Sequence, residues 1–228
     1  MPLMRLYPIF LTLADARVLV AGAGTVGKRK IASLHEAGAG DILVLDIADP
    51  DDGLRLLLGR AGVRFLQRHV EAADIKGKTL VFAATSDVSE NMRIAALCGE
   101  QGVLCNVATD PHAGSFHVPA TAVAGDIVAA FSTGGNSPAL ARRIREEAEE
   151  WLGEHFSDMA VFMGRLRPLV LAGGGETRAN SVVFRALVAS SLGQALASRD
   201  ASTARKIVRD ILPTTLHAHI EDLLHGLC

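Results

Sequence analysis

The stretch that decides the fold is Arg17-Val-Leu-Val-Ala-Gly-Ala-Gly-Thr-Val-Gly27. A short apolar run ends in glycine, and the next residues, from Thr25 to Ala37, carry the spacing of an amphipathic helix. This pattern predicts a strand, a tight turn and a helix. Within it Gly22, Gly24 and Gly27 match G-x-G-x-x-G, the signature of a turn that holds a dinucleotide pyrophosphate at a helix N-terminus.

Apolar segments alternate with helical ones along the first half of the chain. Further strands are predicted at Asp41–Asp46, Val63–Leu66, Thr79–Ala84 and Val103–Val107, and helices at Asp51–Arg60 and Val88–Gln101. Continuous apolar strands separated by helices are typical of a parallel sheet covered on both faces. We therefore predict an α/β fold with a Rossmann-type domain over residues 1–113.

The pattern changes after Pro111. Ser115–Val118 and Asp126–Ser132 are predicted as two strands with no room for a helix between them, so we expect them to pair antiparallel. The second is apolar at almost every position, which predicts that both of its faces are covered, either by a second subunit or by the chain's own helices. We assign residues 114–150 to a small dimerisation and substrate-binding region, and we favour a homodimer.

The remainder of the chain is predicted to be helical. The expected helices are Pro138–His155, Asp158–Leu171, Thr177–Ser198, Ala201–Leu212 and Thr214–Leu227, with Gly173–Gly175 as a linker. Residues 151–228 would then form an all-helical C-terminal domain.

Composition excludes several classes of protein. The 228 residues carry 23 Lys and Arg against 25 Asp and Glu, so no overall positive field attracts nucleic acid or an anionic membrane. The apolar run Tyr7–Leu13 is too short to span a bilayer, and we expect a cytoplasmic protein. Cys98, Cys105 and Cys228 have no C-x-x-C spacing, which indicates neither a disulfide framework nor a zinc site.

An acid at the end of the second predicted strand supports the dinucleotide site. Asp46 follows the glycine motif by about twenty residues, where a carboxylate accepts the ribose hydroxyls. A carboxylate there would repel the extra phosphate of NADP, so NAD is favoured, although the basic Lys28–Lys30 could instead accept such a phosphate. With the turn residues Thr25 and Val26, the cofactor-binding set is completed by Thr85, which follows the fourth strand.

Several short motifs follow one another along the chain. They are Tyr7-Pro-Ile-Phe-Leu-Thr-Leu13, Gly22-Ala-Gly-Thr-Val-Gly-Lys-Arg-Lys30, Ala83-Ala-Thr-Ser-Asp87, Cys105-Asn-Val107, Ser115-Phe116 with Pro119, and Ser132-Thr-Gly-Gly-Asn-Ser-Pro-Ala-Leu-Ala-Arg142, which is the most specific. In this order they resemble the motifs of precorrin-2 dehydrogenase, a module that also forms the N-terminal part of siroheme synthase. The resemblance covers about residues 3–155.

The resemblance implies oxidation of precorrin-2 to sirohydrochlorin with reduction of NAD, on a homodimer; some members also insert ferrous iron. The family carries an aspartate in the pattern Asn-Val-x-Asp-x-Pro, as an acid or base. This chain has Asn106-Val-Ala-Thr-Asp-Pro111, so Thr109 stands at the family's acid position and Asp110 follows one residue later. We predict Asp110 as the catalytic group and Thr109 as the alternative. Asp110 could also be an ordinary turn aspartate bonded to its own backbone.

A tetrapyrrole substrate carries many carboxylates, which the loop after the second antiparallel strand is predicted to bind. Ser137 is a good N-cap and Pro138 a good first helical residue, so the loop would direct N–H groups toward an anion. The predicted substrate-binding residues are Ser132, Gly134, Gly135, Asn136, Ser137 and Arg142. The alternative is a capped surface helix with solvated arginines.

No metal site is predicted. His112 and His117 flank Asp110 and could serve as proton relays or iron ligands, although most histidines so placed are neither. His217, Glu221 and His225 recur at intervals of four and could bind a metal, but we favour an ordinary exposed helical face. A short-chain dehydrogenase is excluded, since Tyr7 is the only tyrosine. Two other functions stay open: a non-catalytic NAD-sensing module, and a sirohydrochlorin chelatase that keeps the nucleotide fold as a scaffold.

Overall fold

The structure, a computed structural model, describes residues 6–173 and 177–228. These residues form two compact units that divide between Val118 and Pro119. Within the described ranges, no helix combines the length and the apolar character needed to cross a membrane.

The first unit is built on a five-stranded parallel sheet. Its strands are β1 (Arg17–Ala21), β2 (Asp41–Asp46), β3 (Val63–Gln67), β4 (Leu80–Ala83) and β5 (Leu104–Val107), and its helices are α1 (Thr25–Glu36), α2 (Asp52–Leu58), α3 (Ala72–Ile75) and α4 (Val88–Gln101). The strand order is β3-β2-β1-β4-β5, with every pair parallel. The predicted Rossmann-type α/β fold is confirmed.

Both faces of this sheet are buried, because successive strand residues point to opposite sides. Val18 and Val20 of β1 lie in one core with Ile31 of α1. Leu19 lies in a second core on the opposite face, together with Ile94 of α4. This double burial explains why the strands show no alternation of polar and apolar residues.

The predicted strand at Ser115–Val118 is wrong. The N–H groups of Ser115 and Phe116 donate to the carbonyl of Cys105, at 2.8 and 3.4 Å, and the Asn106 side chain donates to the carbonyl of Phe116, at 3.0 Å. These bonds bind the segment to β5 within the first unit. The antiparallel pair instead consists of β6 (Ala120–Ala124) and β7 (Ile127–Phe131).

One face of the β6–β7 hairpin is covered by α5 (Pro138–Ala172), a helix of the same unit. The other face is exposed: Val123 and Val128, which are paired in register, are 52% and 46% exposed. Within one chain α5 covers only one face, so the alternative that the chain's own helices cover both is wrong, and coverage of the other face by a second subunit stays a prediction.

The two helices predicted between residues 138 and 171 are one continuous helix, α5. Phe156 and Ser157, where a break was expected, do not interrupt it, because the Ser157 hydroxyl donates to the carbonyl of Gly153 one turn earlier, at 2.7 Å. Gly173 caps the end of α5, and the rest of the predicted Gly173–Gly175 linker lies outside the described residues.

The remaining helices pack around Phe162 and Leu166 of α5. They are α6 (Thr177–Ala189), α7 (Leu192–Ala197), α8 (Ala201–Ile211) and α9 (Ile220–Leu224), with a 3₁₀ turn at Thr214–His219. The predicted helix 177–198 is divided because the Ser190 hydroxyl donates to the carbonyl of Leu187, at 2.7 Å, and accepts from the N–H of Leu192, at 3.1 Å. The predicted helix 214–227 is likewise shorter, and it begins as the 3₁₀ turn after Pro213.

The predicted division into three parts, with boundaries at residues 113 and 150, stays a prediction. The helix α5 runs without a break across residue 150.

Candidate functional site

The glycine turn between β1 and α1 has the geometry that a dinucleotide requires. Gly22 has φ +91°, and a Cβ on it would lie 2.5 Å from the carbonyl oxygen of Ala84. A Cβ on Gly27 would lie 1.9 Å from the carbonyl oxygen of Gly22, so the helix can approach the strand only through glycine. Gly24, in contrast, has no atom within 4 Å of its Cβ position. The first and third glycines pack against backbone, and the second faces open space.

The start of α1 offers backbone donors to a ligand. Gly24 is the N-cap residue, and no side chain caps the helix there. Thr25 and Val26, the first two helical residues, are exposed. Uncapped N–H groups and the positive end of a helix favour a bound anion such as a phosphate.

Asp46 at the end of β2 is tied to this turn. One carboxylate oxygen accepts from the N–H of Ala23, at 2.6 Å, and the other accepts from the N–H of Ala48, at 3.0 Å. The carboxylate is therefore held beside the glycine turn, where sequence analysis expected it to be.

The basic residues after the glycine motif make other contacts. Lys28 forms an ion pair with Asp51, and this hydrogen bond holds the pKa of the Asp51 carboxyl below its usual range. Lys30 lies over the ring of Phe82, with its Nζ 5.8 Å from the ring centroid, and burial lowers the pKa of Lys30. Neither lysine side chain is paired with Asp46.

Thr85, directly after β4, is held by a residue that sequence analysis did not identify. Asn91 of α4 is 0% exposed, and its side chain bonds to the N–H, the carbonyl and the hydroxyl of Thr85. The sequence does contain a signal that could have identified Asn91. Asn91, Ile94 and Cys98 occupy the buried stripe of α4, so one polar residue stands at an apolar position of the helical pattern. Asp87 caps α4 by accepting from the N–H groups of Ser89 and Glu90.

The two candidate proton-transfer residues follow β5. Asp110 caps a 3₁₀ turn at Pro111–Ala113, and its carboxylate accepts from the N–H of His112, at 2.9 Å. This is the bond expected of a turn aspartate. Thr109 is exposed, and its hydroxyl oxygen accepts from the Asn91 amide at 3.4 Å. Both residues lie at the carboxyl ends of the strands, the edge where open α/β sheets bind ligands.

In the second unit, the loop between β7 and α5 is held by its own side chains. The Thr133 hydroxyl accepts from the N–H of Ser137 and donates to its carbonyl, both at 3.1 Å. Ser132 accepts from the N–H of Gly134, at 3.2 Å. Gly134 and Gly135 have φ of +61° and +85°, values that favour glycine. Asn136 completes the turn through its N–H, which donates to the Thr133 carbonyl at 3.1 Å.

The residue that caps α5 and the arginines of its first turns also contact nearby residues of the same helix. Ser137 is the N-cap of α5, accepting from the N–H of Leu140 at 3.2 Å, and Pro138 is the first helical residue, as predicted. Arg142 pairs with Glu146, at 2.9 Å, and Arg143 with Glu147. These are ion pairs within an exposed helix, the arrangement given above as the alternative to substrate binding.

Histidines do not gather into a metal centre. In the ranges that the structure describes, no group of three His, Cys, Asp or Glu side chains is placed to hold an ion. The Nε2 atom of His217 lies 3.0 Å from the carbonyl oxygen of Leu212, and Glu221 forms a bidentate pair with Arg205. Cys98, Cys105 and Cys228 are free thiols.

Comparison with known proteins relates the chain to one family of enzymes. Residues 9–120 match a family model described as putative NAD(P)-binding, and residues 130–150 match one described as sirohaem biosynthesis protein central. Siroheme synthase 1 of Aeromonas salmonicida is 35% identical over 222 residues, which are 96% of this chain and 47% of the relative. The chain is a homologue of the siroheme synthases.

This siroheme synthase homologue spans about half the length of the curated relatives it matches. The siroheme synthase of Thioalkalivibrio sulfidiphilus, for example, is 30% identical over 213 residues, which are 93% of this chain and 43% of that protein. Among solved structures, the precorrin-2 dehydrogenase SirC matches with a TM-score of 0.75 at 23% identity, covering 90% of this chain and 98% of that one. At that identity the match establishes a shared fold.

The family models fall on the two segments of the homologue described above. The NAD(P)-binding match contains the glycine turn, Asp46 and Asp110, whereas the sirohaem match contains the loop from Ser132 to Ser137.

Proposed function

We propose that this siroheme synthase homologue is an NAD-dependent dehydrogenase that oxidises precorrin-2 to sirohydrochlorin. The observation that carries the proposal is the glycine turn with Asp46 held beside it, in a chain similar to siroheme synthases over 96% of its length. The name of the solved neighbour, precorrin-2 dehydrogenase, supports the same reaction.

The residues around the turn suit a dinucleotide. The open space beside Gly24 leaves room for a pyrophosphate close to the backbone, and the N–H groups of Thr25 and Val26 at the uncapped start of α1 would donate to its oxygens. Thr85 lies against Gly22 and would contact a ribose. When bound, NAD accepts a hydride from the substrate.

We propose NAD rather than NADP as the cofactor. The Asp46 carboxylate would accept the ribose hydroxyls of NAD and repel the phosphate that NADP carries at that position. Asp49 and Asp52 follow closely in the sequence and add negative charge. Lys28 is paired with Asp51, so its charge is not available to bind the extra phosphate of NADP.

Loss of hydride from one atom of the substrate must be matched by loss of a proton from another. We assign proton acceptance to the Asp110 carboxylate and hydrogen bonding to the substrate to the exposed Thr109 hydroxyl. The bond from the His112 N–H occupies one carboxylate oxygen of Asp110 and fixes the side chain, which leaves the second oxygen to accept the proton. A positioned base of this kind contributes about 100- to 10,000-fold to a rate.

The carboxylates of the substrate would be bound by the loop from Ser132 to Ser137. Gly134 and Gly135 expose backbone at positive φ, and the positive end of α5 begins at Ser137. Arg142 would exchange its partner Glu146 for a substrate carboxylate, since its side chain is 78% exposed and an exposed ion pair holds it weakly.

We further propose a homodimer formed through the exposed face of the β6–β7 hairpin. A two-stranded sheet is marginally stable alone, and this one presents Val123 and Val128 side by side to solvent. Apolar residues paired across two strands can pack against the same surface of a second copy of the chain. The three free thiols suit a reducing compartment, and we place the enzyme in the cytoplasm.

The test is an anaerobic incubation of the protein with precorrin-2 and NAD, following NADH and sirohydrochlorin together. The proposal predicts equal molar amounts of the two products, and little turnover with NADP. Tight NAD binding without turnover would indicate an NAD-sensing module instead. Insertion of ferrous iron into sirohydrochlorin that does not depend on NAD would indicate a chelatase.

A further inference from the structure

Asn91 is a polar side chain in a position where the fold otherwise places apolar ones. It lies in the first turns of α4 and is 0% exposed, and no other polar or charged side chain in the described ranges is buried to that degree. A buried amide is costly unless every one of its polar groups is bonded.

The Asn91 amide is fully bonded. Its oxygen accepts from the N–H of Thr85, at 3.0 Å, and from the Thr85 hydroxyl, at 2.8 Å. Its nitrogen donates to the carbonyl of Thr85, at 3.0 Å, and to the hydroxyl oxygen of Thr109, at 3.4 Å. An asparagine side chain has two donor hydrogens and two acceptor lone pairs, so these four partners use all of them. The Thr85 backbone also determines the orientation of the Asn91 amide, because the Thr85 N–H needs an acceptor and the Thr85 carbonyl needs a donor.

These contacts join the ends of three adjacent strands. A Cβ on Gly22, after β1, would lie 2.6 Å from the nitrogen of Thr85, so the glycine turn rests on the peptide that Asn91 holds. Thr85 follows β4, and Thr109 follows β5. In the sheet order β1-β4-β5, Asn91 thus links the nucleotide turn to the segment that carries Thr109 and Asp110.

We propose that Asn91 is a positioning residue for the dehydrogenation, an inference that rests on the proposed function. It fixes Thr85 against the glycine turn, and it orients Thr109 by donating to its hydroxyl oxygen. Because that oxygen accepts from Asn91, the hydroxyl proton of Thr109 is directed away from the protein interior, toward the exposed side where a substrate would bind. Asn91 itself touches neither cofactor nor substrate.

Two substitutions remove these bonds to different extents. Asn91→Asp keeps the oxygen that accepts from the N–H and hydroxyl of Thr85 but loses the nitrogen that donates to the Thr85 carbonyl and to the Thr109 hydroxyl, whereas Asn91→Leu removes every bond. Asn106→Ala is the matched structural control, because Asn106 is a part-buried amide in β5 that bonds the Phe116 carbonyl and contacts neither threonine through its amide. For each variant we would measure kcat and KM for precorrin-2, the Kd for NADH, the Tm and the hydrogen exchange of the Thr85 amide.

We expect Asn91→Asp to lower kcat by about 10- to 100-fold, since a small displacement near the reacting atoms is enough for such a loss. The Kd for NADH should rise by a smaller factor, because two of the three bonds to Thr85 are kept. Asn91→Leu should lower both kcat and the affinity for NADH, and the amide hydrogen of Thr85 should then exchange fast. Asn106→Ala should lower the Tm and leave kcat unchanged.

A double-mutant cycle tests the link to Thr109. In a Thr109→Val background, Asn91→Asp should lower kcat by a smaller factor than in the wild type, because one of the two groups that the Asn91 nitrogen bonds is already absent. Unchanged kcat in Asn91→Asp, or losses that multiply in the double variant, would overturn the role. If the wild type itself does not oxidise precorrin-2, the proposed function fails, and the Thr85 exchange and NADH affinity then decide separately whether Asn91 positions the nucleotide turn.

Discussion

The carboxylate of Asp46 accepts a hydrogen bond from the backbone N–H of Ala23, at 2.6 Å, and so joins the end of β2 to the glycine turn after β1. Its other oxygen accepts from the N–H of Ala48. Two backbone donors therefore hold a negative charge beside the turn. The same residue stabilises the turn and, in the proposed function, selects the cofactor.

Replacing Asp46 by asparagine should reduce the discrimination between NAD and NADP. The amide oxygen can still accept from the N–H of Ala23, so this contact to the turn is kept, whereas the bond from Ala48 and the charge that repels a phosphate are lost. We expect the ratio of the two Kd values to fall about tenfold, which is about 1.4 kcal/mol, as measured by calorimetric titration. Asp41→Asn, at the opposite end of β2, is the control, and an unchanged ratio in Asp46→Asn would contradict this role.

Substituting the glycines of the turn should separate folding from binding. Gly22→Ala forces a Cβ to 2.5 Å from the Ala84 carbonyl oxygen at φ +91°, and we expect a loss of stability of about 1–3 kcal/mol. Gly24→Ala meets no protein atom within 4 Å, so the Tm should be kept while NAD affinity falls. Thermal denaturation with and without NAD checks both, and full stabilisation of Gly24→Ala by NAD would show that no pyrophosphate lies there.

Placing a charge on the exposed hairpin face should abolish dimerisation. Val123→Asp sets two like charges against each other across a twofold interface, and we expect sedimentation to show a monomer. Val182→Asp, on an equally exposed site of α6, should leave association unchanged. A wild-type monomer, or a dimer that survives Val123→Asp, would rule out this face as the interface.

The Arg68–Asp74 pair should make stability depend on pH. Two hydrogen bonds of 2.7 Å from Arg68 hold the pKa of the Asp74 carboxyl below its usual 3.8. The ionised pair therefore stabilises the fold above about pH 4, and this contribution is lost as the pH falls through the folded-state pKa.

Because Arg68 is 36% exposed, we expect Asp74→Asn to cost only about 1 kcal/mol at neutral pH. The variant should also lose less stability than the wild type on acidification. Urea denaturation at several pH values measures this, with the exposed Asp126→Asn as control. Parallel acid profiles for the wild type and Asp74→Asn would show that the pair contributes nothing.

The nucleotide-binding half was predictable because its signals are local. The apolar residues of β1, such as Val18 and Leu19, specify a strand buried on both faces, and the glycine spacing after them admits few other structures. Asp46 was predicted from its spacing after the glycine motif, at the end of a strand, and in the structure the end of β2 lies beside the end of β1.

Other features depend on contacts that are distant in the sequence or that compete with local preference. Phe116 and Val118 have strand propensity, but the N–H groups of Ser115 and Phe116 both donate to the carbonyl of Cys105. Ser157 ends no helix, because its hydroxyl bonds within the helix. Asn91 was missed because its partners, Thr85 and Thr109, converge on it only once the sheet has formed.

The central claim is that the segment after β5 moves a proton during the oxidation, and Asp110→Asn tests it most directly. The asparagine can still cap the 3₁₀ turn by accepting from His112, so folding and NADH affinity should be kept while the charge is lost; Glu100→Gln, on the exposed end of α4, is the control. The measurement is the anaerobic rate of NADH formation from precorrin-2. We predict a rate at least about 100-fold below wild type for Asp110→Asn, whereas a wild-type rate in Asp110→Asn, with loss only in Thr109→Ala, would contradict the assignment and move the role to Thr109.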